Sequence, residues 1–163
     1  KTIQESLGPQ GWNQALAGLE QSSSNQAIAN DVLEYVTERD MAELAPTQRA
    51  TIGTAWKLAA QPFIREQLNT GVLQPSEAEM IDKIMGNPDE MLAMTDQTKQ
   101  AVKLITTMME DNRKLKYKTL GIDAPIIEPG SSSLARSLSQ VQVMPDIKTL
   151  KPYVPGTGQM SRQ

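Results

Sequence analysis

The chain has 163 residues, a hydrophobic fraction of 39% and a net charge of −3, which bounds it to one domain with a modest core. It contains neither cysteine nor histidine, so a disulfide framework, Ser-His or Cys-His nucleophiles and the usual zinc sites are excluded. A protein that coats nucleic acid without sequence preference needs a strong excess of basic residues, which this chain lacks.

The first predicted elements are two helices. Apolar residues at helical spacing predict a short helix over residues 11–21, and the serine run 22–24 predicts its end. A second helix follows, with Ser24 or Asn25 as its cap and Pro46 as its stop.

The next two helices are marked by proline, glycine and capping residues. A helix is predicted from Pro46 to about Gly71, with a kink at Pro62. Ser76 and Glu79 have the spacing of a capping box, in which each side chain satisfies a free amide of the first turn, and predict the start of a further helix.

The last strong helical pattern runs from Pro88 to Gly121, with a break at Thr95-Asp96 where a new helix can be capped. A row with heptad spacing lies within it: Met94, Ala101, Met108 and Leu115. Polar residues interrupt this row, so the pattern favours a bundle helix over a true coiled coil. The chain has nine methionines, which favour an adaptable interior or an interface.

Beyond Gly121 the helical signal fades and prolines favour an extended chain. Residues 131–140 have the pattern of two helical turns, and the alternating residues 140–143 have that of a strand. The sequence therefore predicts a mainly α protein: an irregular bundle of four to five helices over residues 1–121, and an extended, proline-rich C-terminal arm over 122–163.

The predicted arm has too few apolar residues to fold alone, because ordering each residue costs about 1–2 kcal/mol of backbone entropy. It is therefore a free tail, packs on its own helical body, or docks on another chain, for instance by strand addition. We expect docking through its apolar residues: Ile126, Ile127, Val141, Val143, Ile147, Leu150 and Tyr153.

Four cations lie close together at the end of the last predicted bundle helix: Arg113, Lys114, Lys116 and Lys118. Cations at a helix C-terminus offset the helix dipole. The same residues are candidates for contact with an acidic protein surface or with nucleic acid. Their spacing spreads them around about half of the helix, which favours dipole compensation.

Carboxylate chemistry is the enzymatic alternative. The cluster Glu77, Glu79 and Asp82 lies in the first turn of a predicted helix, where acids stabilise exposed amides. We therefore expect no catalytic residues, no metal and no cofactor, and a non-enzymatic protein.

The composition and residue patterning of the whole chain resemble those of structural proteins of tailed-bacteriophage virions, especially interior, tail or ejection components. The resemblance lies in helices rich in Gln, Ser and Met, such as residues 13–30 and 104–115, and in the Pro/Gly/Ser-rich arm. It implies a structural or assembly component that forms homo-oligomers and contacts other subunits of a virion. The alternatives are a cytoplasmic location and a nucleic-acid-binding adaptor.

Two expectations concern the ends of the chain and membranes. No apolar run approaches the about 20 residues that a membrane span needs, and no signal-peptide pattern is present. Because the sequence begins at Lys1, we expect a fragment or a processed product.

Overall fold

The computed structural model describes residues 2–143, with side chains for residues 2–139. This part of the chain folds into five helices: α1 (Ile3–Glu38), α2 (Pro46–Asn69), α3 (Pro75–Met85), α4 (Asp96–Thr119) and α5 (Ser133–Val143). Short 3-10 turns lie at Met41–Glu43 and Glu90–Ala93. The prediction of a mainly α bundle is confirmed, and residues 2–143 contain no strand.

One hydrophobic core joins all five helices. Helix α1 packs along both α4 and α2, α3 fills the space between α2 and α4, and α5 lies across α1 and α2. The largest fully buried apolar side chains of this core are Ile52, Trp56, Ile64, Ile81, Met91, Ile105 and Leu138.

Helix α1 corrects the prediction of two separate helices. Residues 22–24 lie inside it, so the serine run is not a break. Serine is only mildly unfavourable in a helix, and Ser23 makes contacts with α4 that are described below. The irregularity lies instead at Gly8, whose φ of 73° places it in the left-handed region and kinks the helix before Pro9.

Proline decides the start of α3 and corrects the predicted capping box. Pro75 occupies the first helical position, so the cap is Gln74 and Ser76 already lies inside the first turn. Ser76 therefore cannot act as the cap of a box with Glu79. By contrast, α2 ends at Asn69 and runs through Pro62, and its predicted end is confirmed.

Helix α4 begins where the sequence predicts a break. The Thr95 hydroxyl accepts a hydrogen bond from the Thr98 amide at 3.2 Å and caps the helix. The heptad row faces the core only in part, because Ala101 is buried whereas Leu115 is 61% exposed. The buried face instead repeats every three or four residues and includes Thr98, Ala101, Val102, Ile105 and Met109.

The chain after Gly121 has no regular secondary structure up to Glu128, turns at residues 129–130 and enters α5 at Ser133. Leu134 and Leu138, four residues apart, are buried in the same core as α1 and α2. This segment of the predicted arm therefore packs on its own helical body. The prediction of helical turns here is confirmed, while the predicted strand is wrong, because Val141 and Val143 belong to α5.

Candidate interaction surfaces

The basic end of α4 divides into one buried cation and three exposed ones. The Arg113 side chain is 2% exposed, and its guanidinium is held between three elements. Its Nε donates to Glu110 Oε1 at 2.6 Å, its Nη1 to Ser23 Oγ at 3.1 Å and its Nη2 to the Pro125 carbonyl oxygen at 3.0 Å. These contacts leave Arg113 unavailable to a phosphate, so the prediction that it contacts a partner is corrected to a structural role.

Ser23 and Tyr117 continue this network into α1. Ser23 Oγ lies 2.8 Å from the Tyr117 hydroxyl, within hydrogen-bond distance. The Arg113 guanidinium carbon also lies 5.4 Å from the centre of the Tyr117 ring, in cation–π range. A serine inside α1 thus joins α1 to the end of α4, and the sequence offers no local signal for this role.

Lys114, Lys116 and Lys118 remain exposed on the last turns of α4. Lys116 lines a cleft of about 240 Å³ between α1, α2 and α4, which Glu66 also lines. The three lysines therefore do not share one stripe, as their spacing predicts. They remain candidates for contact with an acidic partner.

The same cleft is lined by Gln26, a buried side-chain amide that lacks one hydrogen-bond partner among the described residues. Gln26 is 1% exposed, and its Nε2 donates to the Thr106 carbonyl oxygen and to Asn30 Oδ1, both at 3.0 Å. Its Oε1 has no donor among the described residues. Gln26 therefore ties α1 to the backbone of α4 and leaves one buried acceptor unsatisfied.

The first two predicted arm residues differ in exposure. Ile126 is 88% exposed, whereas Ile127 is partly buried. Both line a shallow groove beside Ser24 and Ala27 of α1. Val141 and Val143 lie in α5, and Ile147, Leu150 and Tyr153 lie outside the described residues.

A carboxylate of α1 fixes the chain where α5 begins. Asp31, 4% exposed, accepts hydrogen bonds from the Gly130 amide at 2.9 Å and the Ser132 amide at 3.2 Å. Ser132 Oγ accepts from the Ala135 amide at 3.0 Å and caps α5. The sequence contains the cap and the Leu134–Leu138 spacing, but not the distant carboxylate.

An apolar groove of about 370 Å³ lies where α1, α2 and α5 meet. Its apolar lining includes Ile28, Ala55, Leu134 and Leu58, of which Leu58 is 72% exposed. The other described residues of the lining are Ala50, Thr51, Thr54, Ser133 and Ser137, so none of the lining residues in the described part of the chain is charged.

The outer face of α4 carries a second exposed apolar surface. Leu104 is 48% exposed and Leu115 is 61% exposed. At about 100° per residue, these positions fall on nearly the same side of the helix, with the partly exposed Met108 between them. Asp111 is the charged residue on this row. We call Leu104, Met108 and Leu115 the α4 stripe.

Residues 2–143 contain no group of three or more Asp or Glu side chains placed to hold a metal ion. None of the described helices is both long enough and apolar enough to cross a membrane.

The chain matches no family model, no curated protein and no solved structure. The resemblance to phage structural proteins therefore remains an expectation from the sequence.

Proposed function

We propose that the protein is a non-enzymatic structural or assembly component of a multi-subunit complex, in which the C-terminal arm docks on neighbouring subunits. The α4 stripe is the observation that carries the assembly part of this proposal. Helix α4 already buries one face in its own core, yet Leu104 and Leu115 present a second apolar face to solvent. Exposed apolar surface of this kind marks protein–protein contact.

The resemblance of the chain to tailed-bacteriophage virion proteins supports a virion as the complex. The Gln-, Ser- and Met-rich helices that carry it are α1 and α4, and α4 is the helix with the exposed stripe. Methionine adapts to irregular partner surfaces, and Met108 lies within the stripe. The partners on this proposal are other copies of the chain and other subunits of the same assembly.

Light scattering behind size exclusion, over a range of protein concentrations, tests the proposal. We expect the full chain to form an oligomer, and the variant Leu104→Ser, Leu115→Ser to dissociate more readily. The matched control is Val72→Ser, Leu92→Ser, since those side chains are 60% and 50% exposed but lie outside α4. A full chain that is monomeric at every concentration contradicts the proposal, as does equal weakening by the control.

A nucleic-acid-binding adaptor is the second candidate, and the exposure of Lys114, Lys116 and Lys118 favours it. Each neutralised phosphate contributes about −0.9 to the slope of log affinity against log salt, so three lysines predict a slope of about −3 at most. The variant with all three changed to Gln should lose binding to a DNA duplex. The control carries the same change at the exposed residues Lys57, Lys83 and Lys103. Binding that is undetectable, or insensitive to salt, rules out this candidate.

A further inference from the structure

We propose that the apolar groove between α1, α2 and α5 is the receptor for the C-terminal arm of a second copy of this chain, which inserts Ile147, Leu150 and Tyr153. The inference rests on the proposed assembly function and names the surface on which the arm docks. Its basis is the lining of the groove, the pattern of the arm sequence and the position of α5 at the groove.

The lining of the groove selects an uncharged, apolar occupant. Ile28, Ala55 and Leu134 provide apolar surface, and Leu58 extends it outward, with 72% of its side chain exposed. None of the described residues that line the groove carries a charge, so these residues offer nothing that would hold a phosphate or an acidic peptide. Its volume of about 370 Å³ lies within the range of about 300–1,000 Å³ that is usual for binding pockets.

The lining also contains groups that suit an extended backbone. Thr54, Ser133 and Ser137 contribute hydroxyls, and a hydroxyl can donate a hydrogen bond to a backbone carbonyl. A polyproline II segment makes no hydrogen bonds within itself, so its carbonyls need donors of this kind. Ala50 and Ala55 are small enough to allow a backbone to approach α2 closely.

The arm has a period that fits such a groove. Ile147, Leu150 and Tyr153 recur at every third position, and a polyproline II helix has three residues per turn. In that conformation all three side chains would project from one edge. Pro145, Pro152 and Pro155 lie within and beside this segment, and proline restricts both itself and the preceding residue to compatible backbone angles.

The direction of α5 favours a second copy as the source of the arm. Helix α5 lines the groove with its first turns, at Ser133, Leu134 and Ser137, and the chain then moves away from the groove to Val143. The helix from Leu134 to Val143 is about 13.5 Å long at 1.5 Å per residue. Ile147 is four residues beyond Val143, and four fully extended residues span about 14 Å at most.

Ile147 could therefore return to the level of Leu134 only with a fully extended linker that also reverses direction. The groove of a neighbouring copy imposes no such limit. The exposed rim at Leu58 leaves that side of the groove accessible to an arm from outside.

Crosslinking between cysteines tests the inference directly, because the natural chain has none. Full-length Leu58→Cys and full-length Leu150→Cys, distinguished by a mass tag, are mixed and treated with a short bismaleimide. The control replaces the first variant by Val72→Cys, whose valine is 60% exposed and lies outside both the groove and the α4 stripe. We expect the 58–150 product to form roughly a hundredfold faster than the 72–150 product, because docking raises the effective concentration of the pair.

A third sample carries both Leu58→Cys and Leu150→Cys in one chain and is treated at high dilution. A crosslink within that chain, together with no 58–150 product between copies, overturns the inference, because the arm then fills its own groove. Equal rates for the 58–150 and 72–150 pairs also overturn it.

Light scattering on the same samples separates this inference from the proposed function. An oligomer that forms no preferential 58–150 product keeps the assembly function and rejects the groove as the receptor. A chain that is monomeric at every concentration rejects both.

Discussion

The Asp31 carboxylate accepts a hydrogen bond from the backbone amide of Ser132, 3.2 Å away and 101 residues later in the chain. In a capping box, a Glu or Gln three positions into the helix would accept this bond. The residue at that position of α5 is Ala135, whose amide is capped by Ser132 Oγ. A carboxylate on α1 thus completes the cap of α5 and fixes α5 to the bundle.

Replacing Asp31 should loosen α5. Asp31→Ala removes both acceptors of a buried carboxylate, and hydrogen bonds to charged groups contribute about 1.5–3 kcal/mol each, so we expect the free energy of unfolding to fall by about 3 kcal/mol. Asp31→Asn should cost less, since one oxygen remains. Denaturant unfolding measures both, and hydrogen exchange should quicken first in residues 133–143. Glu34→Ala, at an exposed position of α1, is the control, and an equal loss there would contradict the prediction.

Arg113 should behave as a structural residue rather than a binding residue. Arg113→Ala leaves the Pro125 carbonyl without its guanidinium donor and Glu110 without its ion-pair partner. Breaking a buried pair from one side typically costs about 3–5 kcal/mol. Because Glu110 is 27% exposed and can regain water, we expect the lower end, about 3 kcal/mol. Lys114→Ala, next to it and exposed, should change stability by about 0.5 kcal/mol or less. A larger loss from Lys114→Ala than from Arg113→Ala, in denaturant unfolding, would show that the roles are reversed.

Gly53 marks a close approach of α2 to α3. A Cβ at this position would collide with the Met85 carbonyl oxygen, which is backbone and cannot move aside alone. Gly53→Ala should therefore destabilise the protein by about 2 kcal/mol or more. Gly18→Ala is the matched change in α1, where a Cβ meets nothing within 4 Å, and should stabilise by about 0.5–1 kcal/mol. Thermal unfolding should separate the two variants, and a shift of the same sign in both would contradict the model of close packing at Gly53.

Helix α5 should contribute to global stability, as a core element does. Leu138 is 1% exposed, and truncating a buried leucine to alanine costs about 2–5 kcal/mol. Ile126→Ala removes a side chain that is 88% exposed and should change the free energy of unfolding by about 0.5 kcal/mol or less. Denaturant unfolding measures both. If Leu138→Ala were as mild as Ile126→Ala, α5 would not belong to the cooperative core.

Prediction from the sequence succeeds where the signal is local. The sequence predicts both the end of α2 near Asn69 and the start of α4 after Thr95, because capping residues act within one turn, on free amides at a helix start and on free carbonyls at a helix end. The capping box at Ser76 fails for an equally local reason, since Pro75 takes the first helical position. Alternation over residues 140–143 predicted a strand, but a period of two in four residues is too short to outweigh the helix that Ser132 starts.

The candidate surfaces also divide into features that a local signal predicts and features that depend on distant residues. The exposure of Lys114, Lys116 and Lys118 follows from their chemistry and position on a helix, and the sequence predicts it. The burial of Arg113 does not follow from the sequence around it. Two of the acceptors that compensate for burying its guanidinium come from Ser23 and Pro125, outside α4. The exposure of the α4 stripe does not follow from the sequence either, since nothing in the sequence distinguishes Leu115 from a leucine of the core.

The sequence by itself determined a helical protein, the places where α2 ends and α4 begins, and the absence of histidine and cysteine chemistry, because these depend on residue types and contacts within a few positions. Only the tertiary structure decided that residues 22–24 stay helical, that Arg113 is buried and that residues 133–143 join the bundle as α5. The physical reason is that each of these depends on a partner far along the chain, such as Ser23 for Arg113, 90 residues away, and burial creates such pairs only when the helices pack.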